Sequence, residues 1–421
     1  MCDAKDKLGI CMKNLSTTET GAPNLSEPFG SKDRIKKIST HILRVPLGKN
    51  RFYSSQSEFP ERNSMLVRIE TDDGIVGWGE GGQYGPPEPV ATCVTEVLAP
   101  RILGRSPFEY GRIWEELYAF SRDFGQKGVY IEAMSAIDIA LWDITGKARG
   151  VPVHQLLGGA FRESVPSYAT GCYYRGEDAF DYKANLDALV QEAVSFSDAG
   201  FQLLKMKVGL LSIAEDTCRL AAIRKAVGPE MILMVDANHA YSAPDAIRMG
   251  RALEQQGVVF FEEPVVPEDR DGYRRVRGAL DLAIAGGECE YTRYGFRDLI
   301  AGGCVDVAQP DVCVCGGLSE AQKILALASS YGVKVIPHVW GSGVAFAAGL
   351  HFVASLPPMP HTARPVPLQN EPVIEYDRNP NPLREDLCQT RISLRDGRVV
   401  VPNTPGLGID INMDVLHRYS S

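Results

Sequence analysis

No stretch of the 421 residues is apolar for long enough to cross a bilayer. The first segment, Met1 to about Ser31, has no apolar core of the kind a secretory signal needs. It also lacks the Arg-rich, acid-poor character of a transit peptide. It is polar and rich in Ser, Thr, Asn and Gly, so residues 1–34 read as a flexible extension. There is no excess of basic charge. The net charge of -9 excludes a broad nucleic-acid footprint, which needs a basic face. It leaves small acidic substrates open, because a bound metal and local lysines can reverse the local field. No Gly-rich phosphate fingerprint follows an early strand, which counts against an open doubly wound sheet. The ten cysteines show no paired metal-ligand spacing. Cys313-Val-Cys315 has no second Cys or His pair nearby, so it reads as two thiols in a strand-to-helix loop. With no export signal, reduced thiols in the cytoplasm are expected.

The length requires two domains, or one large barrel with an attached piece. From Lys36 to Leu47 the chain is strand-like, and a polar loop, Gly48 to Arg62, follows. Met65, Val67 and Ile69 alternate, Asp73-Gly74 turns, and Ile75 to Trp78 returns, which predicts a β-hairpin. Tyr130 to Arg149 carries Ala, Ile, Leu and Trp at helical spacing and stops at Gly150 with Pro152 beyond. An α+β unit over residues 35–160 is therefore expected. After Val165 short apolar strands alternate with amphipathic helices. The predicted strands are Val165–Thr170, Leu203–Val208, Ile232–Asn238, Val258–Pro264, Leu282–Glu288, Val305–Asp311, Lys334–His338 and Val373–Asp377. Strands buried on both faces read as continuous apolar runs, as these do. The fold class is α/β, with a β/α barrel over residues 161–379. Residues 380–421 are expected to leave the barrel and complete the first unit.

The charged residues sit where a barrel opens. Lys205 and Lys207 close the second strand, Asp236 and Asn238 the third, Glu262 and Glu263 the fourth, Glu288 the fifth, Asp311 the sixth and His338 the seventh. The C-terminal ends of barrel strands form one mouth, so these groups converge. A single strand-end carboxylate commonly caps a helix or pairs with a lysine. Asp236, Glu262 and Glu288 stand on three successive strands, about one barrel repeat apart, and such hard oxygen ligands suit Mg²⁺. Lys205 and Lys207, two residues apart, share one strand face, and their repulsion is expected to lower the pKa of one, making it a base. Asp311 is expected to orient and charge His338. His239 either touches substrate or is a satisfied loop histidine.

In order and spacing, Lys205-Met-Lys207, Asp236-Ala-Asn238, Glu262-Glu-Pro264, Gly287-Glu288, Gln309-Pro-Asp311 and Pro337-His338 resemble the enolase superfamily in its mandelate racemase subgroup. The likeness runs from about Lys36 to the end. It implies a modified (β/α)7β TIM-like barrel beneath an α+β capping domain. It also implies Mg²⁺ on Asp236, Glu262 and Glu288, with Lys207 and His338 as the two acid/base arms. Glu375, in VIEYD, would hydrogen-bond the substrate carboxylate. Longer stretches, among them VDANHAY, FFEEPVVPE and IPHVWGSGV with Trp340, are similar to sugar-acid enzymes of that subgroup: galactarolactone and anhydro-galactonate cycloisomerases, with aldarate dehydratases nearby. The resemblance further implies a homo-oligomer, dimer or octamer.

The expected chemistry begins with removal of the proton α to a carboxylate. Mg²⁺ and Lys205 would neutralise the enediolate that results. The product then depends on what faces the second carbon: a sugar acid or its lactone would be dehydrated or ring-opened, an amino- or hydroxy-acid derivative epimerised. A non-catalytic barrel that only binds metal is the alternative of another class. Substrate choice is expected from Arg51, Phe52, Tyr53 and Arg62 in the loop Lys49–Arg62, from Gln83 and Tyr84 in Gly81–Pro87, and from Asn238 and Trp340 at the mouth.

Overall fold

The computed structural model describes residues 33–82, 85–176 and 179–421. Residues 1–32 of the N-terminal extension and the pair Gln83 and Tyr84 lie outside the described residues. The first unit opens with a three-stranded antiparallel sheet, β1 (Ile35–Pro46), β2 (Glu61–Thr71) and β3 (Val76–Gly81). The turn at Asp73-Gly74 joins β2 to β3, with Gly74 at positive φ, as the hairpin reading required. Two long helices follow, α1 (Tyr110–Ser121) and α2 (Val129–Arg149). α2 ends where Gly150 turns left-handed at φ 69°, and its N–H bonds back to the last turn. β3 places glycine at every second residue, Gly77, Gly79 and Gly81, on the face that meets α2. A Cβ at Gly79 would lie 1.9 Å from the Ala136 carbonyl oxygen, so only glycine lets helix and sheet approach this closely.

The barrel alternates strands and helices: β4 (Ser164–Gly171), α3 (Tyr182–Asp198), β5 (Leu203–Lys207), α4 (Ile213–Val227), β6 (Ile232–Asp236), α5 (Ala243–Gln255), β7 (Val258–Glu262), α6 (Arg270–Ala279), β8 (Ala283–Gly286), α7 (Thr292–Ala301), β9 (Val307–Ala308), α8 (Gly317–Ser330), β10 (Lys334–Val335), α9 (Gly343–Ser355) and β11 (Ile374–Asp377). Strands β4 to β10 pair in parallel in chain order, and β11 returns to pair with β4. The first seven strands are each followed by a long helix and the eighth is not, which is a (β/α)7β barrel under an α+β cap. The strands are shorter than expected from sequence. β8, β9 and β10 end at Gly286, Ala308 and Val335, so Glu288, Asp311 and His338 stand two or three residues past the ladder. The chain leaves the ladder there because Gly287 turns to φ 121°, and because Asp311 and His338 enter loops held by their own hydrogen bonds.

Inward-facing residues form two layers. The lower is apolar, with Tyr168, Leu203, Met234, Phe260, Ala285, Val307, Ile336 and Val373 packed together, one from each strand or its edge. Two residues further along, the same face carries Thr170, Lys205, Asp236, Glu262 and Glu375, because side chains of a strand alternate with period two.

Carboxylates of the first unit hold it on the barrel. Glu80 of β3 is fully buried and accepts from the backbone N–H of Ser342 (2.9 Å) and Ala345 (2.9 Å) at the start of α9. It also accepts from the hydroxyls of Ser64 (2.8 Å) and Ser342 (2.5 Å). Asp138 of α2 does the same for α8, accepting from Ser319 N–H at 2.9 Å and Ser319 Oγ at 2.5 Å. A carboxylate at a helix start meets unpaired N–H groups and the positive end of the dipole. Residues 380–421 first add a strand, Arg398–Val400, to β4, and then lay the helix Met413–Tyr419 near β1. Among the described residues, no helix is long and apolar enough to cross a membrane.

Glu80→Ala would leave four buried donors of the cap–barrel seam without an acceptor. We expect a loss of about 3 kcal/mol in unfolding free energy, read as a lower denaturant midpoint. An unchanged midpoint would mean that the seam does not depend on this carboxylate.

Candidate active site

The second inward layer is a cluster of buried charge. Lys205, 1% exposed, donates to both oxygens of Glu262 (2.9 and 2.8 Å) and lies 2.9 Å from Glu375 Oε1. Lys207 donates to Asp236 Oδ2. Asp236 Oδ1 also accepts from the N–H of Asn238 at 2.8 Å. One oxygen each of Asp236, Glu262 and Glu288 lie within 4.8 Å of one another. Glu288 Oε2 is buried with no hydrogen-bond partner. A hard, all-carboxylate donor set with an unpartnered oxygen fits a divalent cation of the Mg²⁺ type, and those residues would hold it.

His338, on the opposite side of these three strands from Lys207, is buried. Its Nδ1–H donates to Asp311 Oδ2 at 2.6 Å, while Nε2 lies 3.6 Å from Glu288 Oε2 and 3.9 Å from Glu375 Oε2. Asp311 is fixed in turn by the N–H of Cys313 at 2.7 Å. Glu375 accepts from Thr170 Oγ1 at 2.5 Å and from Val339 N–H at 3.2 Å.

These contacts set the protonation states. Burial alone would lower His338, but Glu288, the Asp311 hydrogen bond and Glu375 outweigh it and push it up to about 10. Burial raises Glu262, Lys205 opposes, and the neighbouring carboxylates add to burial, so Glu262 is pushed up to about 8. Glu375 resists its burial because Lys205 and His338 hold it down at about 2. The expected lowering of one lysine is overturned. Burial does act to lower both, but Glu262 and Glu375 hold Lys205, and Asp236 holds Lys207, above the ordinary lysine value. The mutual repulsion of the two ammonium groups is real, but each has a carboxylate in direct contact and the other ammonium farther off.

Above the cluster lies a cavity of about 430 Å³. Its walls include Ser54, Phe59, Arg62 and Asn63 from the first unit and Asn238, His239, Glu288, Cys289 and Trp340 from the barrel. The 54–57 turn docks on the end of β6: Ser55 Oγ donates to the Ala237 carbonyl at 2.6 Å, and Gln56 Nε2 to that of Asn238 at 2.6 Å. Arg62 is 3% exposed. Its Nη2 donates to Asp377 at 2.5 Å, and the guanidinium lies 4.3 Å from the Trp340 ring centre, while Nη1 is buried without a hydrogen-bond partner. Arg51 and Tyr53 do not line this cavity. Arg51 faces Glu58 at 3.3 Å, and the Tyr53 ring lies 6.0 Å from that of Phe180.

Sequence reasoning passed over Thr170, Asp377 and the partnership of Glu263 with Cys289. Period two from Tyr168 and from Glu375 would have found the first two. The third joins separate loops and left no signal in either.

A family model described as "Enolase C-terminal domain-like" matches residues 188–415, and one described as "Mandelate racemase / muconate lactonizing enzyme, N-terminal domain" matches residues 38–158. The chain is 42% identical to a D-galactarolactone cycloisomerase of Agrobacterium fabrum, over 92% of this chain and 98% of that one. Among solved structures it is similar to the 3,6-anhydro-D-galactonate cycloisomerase of Zobellia galactanivorans, with 41% identity, TM-score 0.81 and coverage of 92% and 99%. It is also similar to a variant L-talarate/galactarate dehydratase liganded with Mg and L-glucarate, with 30% identity, TM-score 0.82 and coverage of 96% of each chain.

The protonation states predict a link between metal and pH. Folding raises Glu262 from its ordinary 4.5 to about 8, and His338 from 6.5 to about 10. A group that holds its proton more tightly when folded stabilises the fold at low pH and loses that contribution as pH rises. Between about pH 6.5 and 8 both groups act in this direction, while Asp236 and Glu375, held low, are already ionised. Chelator-treated protein should therefore melt at lower temperature at pH 8 than at pH 6.5. Mg²⁺ should restore more at pH 8. A Mg²⁺ increment that is absent, or equal at the two pH values, would count against the carboxylate site.

Proposed function

The chain belongs to the mandelate racemase / muconate lactonizing enzyme family of enolase-like proteins, and from that premise we propose that it acts on a sugar acid or its lactone. In this reading it takes the proton α to the carboxylate and expels the oxygen on the next carbon. Where that oxygen belongs to a ring the outcome is cycloisomerisation; where it is a hydroxyl the outcome is dehydration. The observation that carries the reading is the placing of Lys207 and His338, two proton carriers, on either side of the three-carboxylate set. The relatives support the substrate class. They are a galactarolactone cycloisomerase, an anhydro-galactonate cycloisomerase and a dehydratase of aldarates.

We assign Asp236, Glu262 and Glu288 as the metal ligands. A bound Mg²⁺ would supply positive charge to the oxygens of the enediolate and would compete with Lys207 and His338 for the carboxylates that now hold their protons. Lys205 would seat the substrate carboxylate from below, and Glu375, which holds Lys205, would hydrogen-bond that carboxylate once it has taken up a proton. Lys207 or His338, whichever has shed its proton, breaks the Cα–H bond. The electron pair forms the Cα–Cβ double bond, the Cβ–O bond breaks, and the departing oxygen takes a proton from the opposite arm. The enol so formed then returns to the keto acid. Asp311 positions His338 and touches no reacting atom. Asn238 and Trp340 would line the substrate's flank, and Arg62, with Nη1 unpaired, would receive its far polar end. Arg51 and Tyr53 have a weaker claim, since they stand off the cavity. In this assignment a cap of residues 35–160, completed by 380–421, covers a catalytic barrel of 161–379. The free thiols of all eight described cysteines support a reducing, cytosolic setting.

Lys207→Ala and His338→Asn should each lower turnover by about 10²–10⁴ in Mg²⁺-loaded protein that still folds, with the fold checked by circular dichroism. Proton NMR in D₂O over a panel of acid sugars and lactones would follow both turnover and exchange at the α-carbon. Wild-type turnover in both variants would sink the assignment. Arg62→Lys keeps a cation for Asp377 but loses the planar fork. It should raise KM about tenfold or more with a smaller change in kcat; an unchanged KM would remove Arg62 from substrate contact.

A further inference from the structure

Beside the three-carboxylate set stands a second cluster that the reaction above does not use. His239, Glu263 and Cys289 follow Asp236, Glu262 and Glu288 by three, one and one residues, so the same three barrel loops carry both sets. One ligand atom from each of the three lies within 4.8 Å of the others. His239 Nε2 is 3.0 Å from Glu263 Oε2 and 3.7 Å from Cys289 Sγ. Two ligands of a tetrahedral zinc, with bonds of about 2.0–2.3 Å, stand about 3.3–3.6 Å apart. The observed spacings bracket that range.

Glu263 supplies a second observation. It is 1% exposed, yet its Oε2 has no hydrogen-bond partner, because the imidazole beside it does not offer hydrogen-bond geometry. His239 Nδ1 is also buried without a partner. The other buried carboxylates at the barrel mouth have counter-charges: Asp236 has Lys207, Glu262 and Glu375 share Lys205, and Asp311 and Glu288 face His338. Glu263 has the His239 imidazole and the Cys289 thiol beside it, and no lysine or arginine of the described residues within ion-pair distance.

We propose that His239, Glu263 and Cys289 form a second metal site that takes a borderline cation such as Zn²⁺ and, when filled, blocks the cavity. Imidazole, thiolate and carboxylate are the ligands zinc prefers and magnesium does not. The thiol proton of Cys289 leaves to solvent as the Sγ–metal bond forms. His239 and Cys289 line the 430 Å³ cavity, so a cation can enter there and its fourth position faces the cavity. Binding rests only on this geometry. Inhibition rests in addition on the reading of the cavity as the substrate's place, and the two are measured separately.

The test uses the full chain saturated with Mg²⁺. Equilibrium dialysis against Zn²⁺ with elemental analysis gives stoichiometry and affinity, and Co²⁺ substitution reports thiolate ligation by its charge-transfer absorption. One Zn²⁺ per chain should bind in excess Mg²⁺, with the Co²⁺–thiolate band present. Cys289→Ser and His239→Gln should each weaken it by at least about tenfold. Cys218→Ser, which alters the other exposed thiol of the described residues, should leave it unchanged, as should Asp236→Asn in the carboxylate set. Absence of Zn²⁺ binding overturns the proposal. So does binding that persists in Cys289→Ser, or that is lost in Asp236→Asn, which would mean that zinc merely replaces magnesium. Zn²⁺ bound at Cys289 with turnover unimpaired would keep the site and refute only its blocking role.

Discussion

Carboxylates buried side by side in a low-dielectric barrel repel one another, and the rest of the site is arranged around that repulsion. Asp236, Glu262 and Glu288 place ligand oxygens within 4.8 Å of one another, with Glu263, Glu375 and Asp311 close by. Left unbalanced, such a layer would hold its protons or unfold. Lys205, Lys207 and His338 balance part of it, each in direct contact with a carboxylate. The remaining negative charge creates the affinity for a dication. The same contacts that hold the layer together thus keep the acid/base groups protonated until something competes for their partners. In the proposed function, metal binding and proton transfer are two consequences of one electrostatic arrangement.

That arrangement needs dryness, and the cap provides it by being fixed rather than loosely placed. Glu80 and Asp138 reach from the first unit to the N-termini of α9 and α8, helices that follow the strand ends carrying His338 and Asp311. Arg62 reaches from β2 to Asp377, two residues beyond Glu375 on the last barrel strand. These contacts set the cap residues at a defined height over the charged layer. The division of labour follows from the topology. Strand ends that converge by barrel symmetry carry the chemistry, and a separate unit that can vary without disturbing the strands shapes the cavity.

The sequence made the barrel readable because each strand is an apolar run that ends in a charged or polar residue. The inward period of two is what turns that ending into a layer. Leu203, Lys205 and Lys207 show it in five residues: one apolar floor position, then two in the mouth. What did not read was anything set by distance across loops. The repulsion of Lys205 and Lys207 was visible at two residues' spacing, whereas the stronger pull of Glu262, Glu375 and Asp236 comes from strands 29 to 170 residues away. The cluster of His239, Glu263 and Cys289 was hidden for the same reason. Arg51 and Arg62 could not be ranked from sequence, since one sits partly exposed at the start of a small three-stranded sheet and the other inside the seam.

The first chemical step and the final product are therefore fixed by different parts of the molecule. Acidity at the α-carbon depends on the charged layer, which the strand ends define. The fate of the enediolate depends on which oxygen lies within reach of the second proton carrier, and so on how the far end of the substrate is held. In the proposed assignment Arg62 and Trp340, which line the cavity, hold that end, and neither belongs to the charged layer. A change of substrate in such an enzyme needs no change in Lys207, His338 or the carboxylates. It needs only that the cavity between Arg62 and Glu288 present a ring oxygen instead of a hydroxyl to the same acid. The same scaffold can then serve both a cycloisomerase and a dehydratase, because the two reactions part only after the proton has been taken.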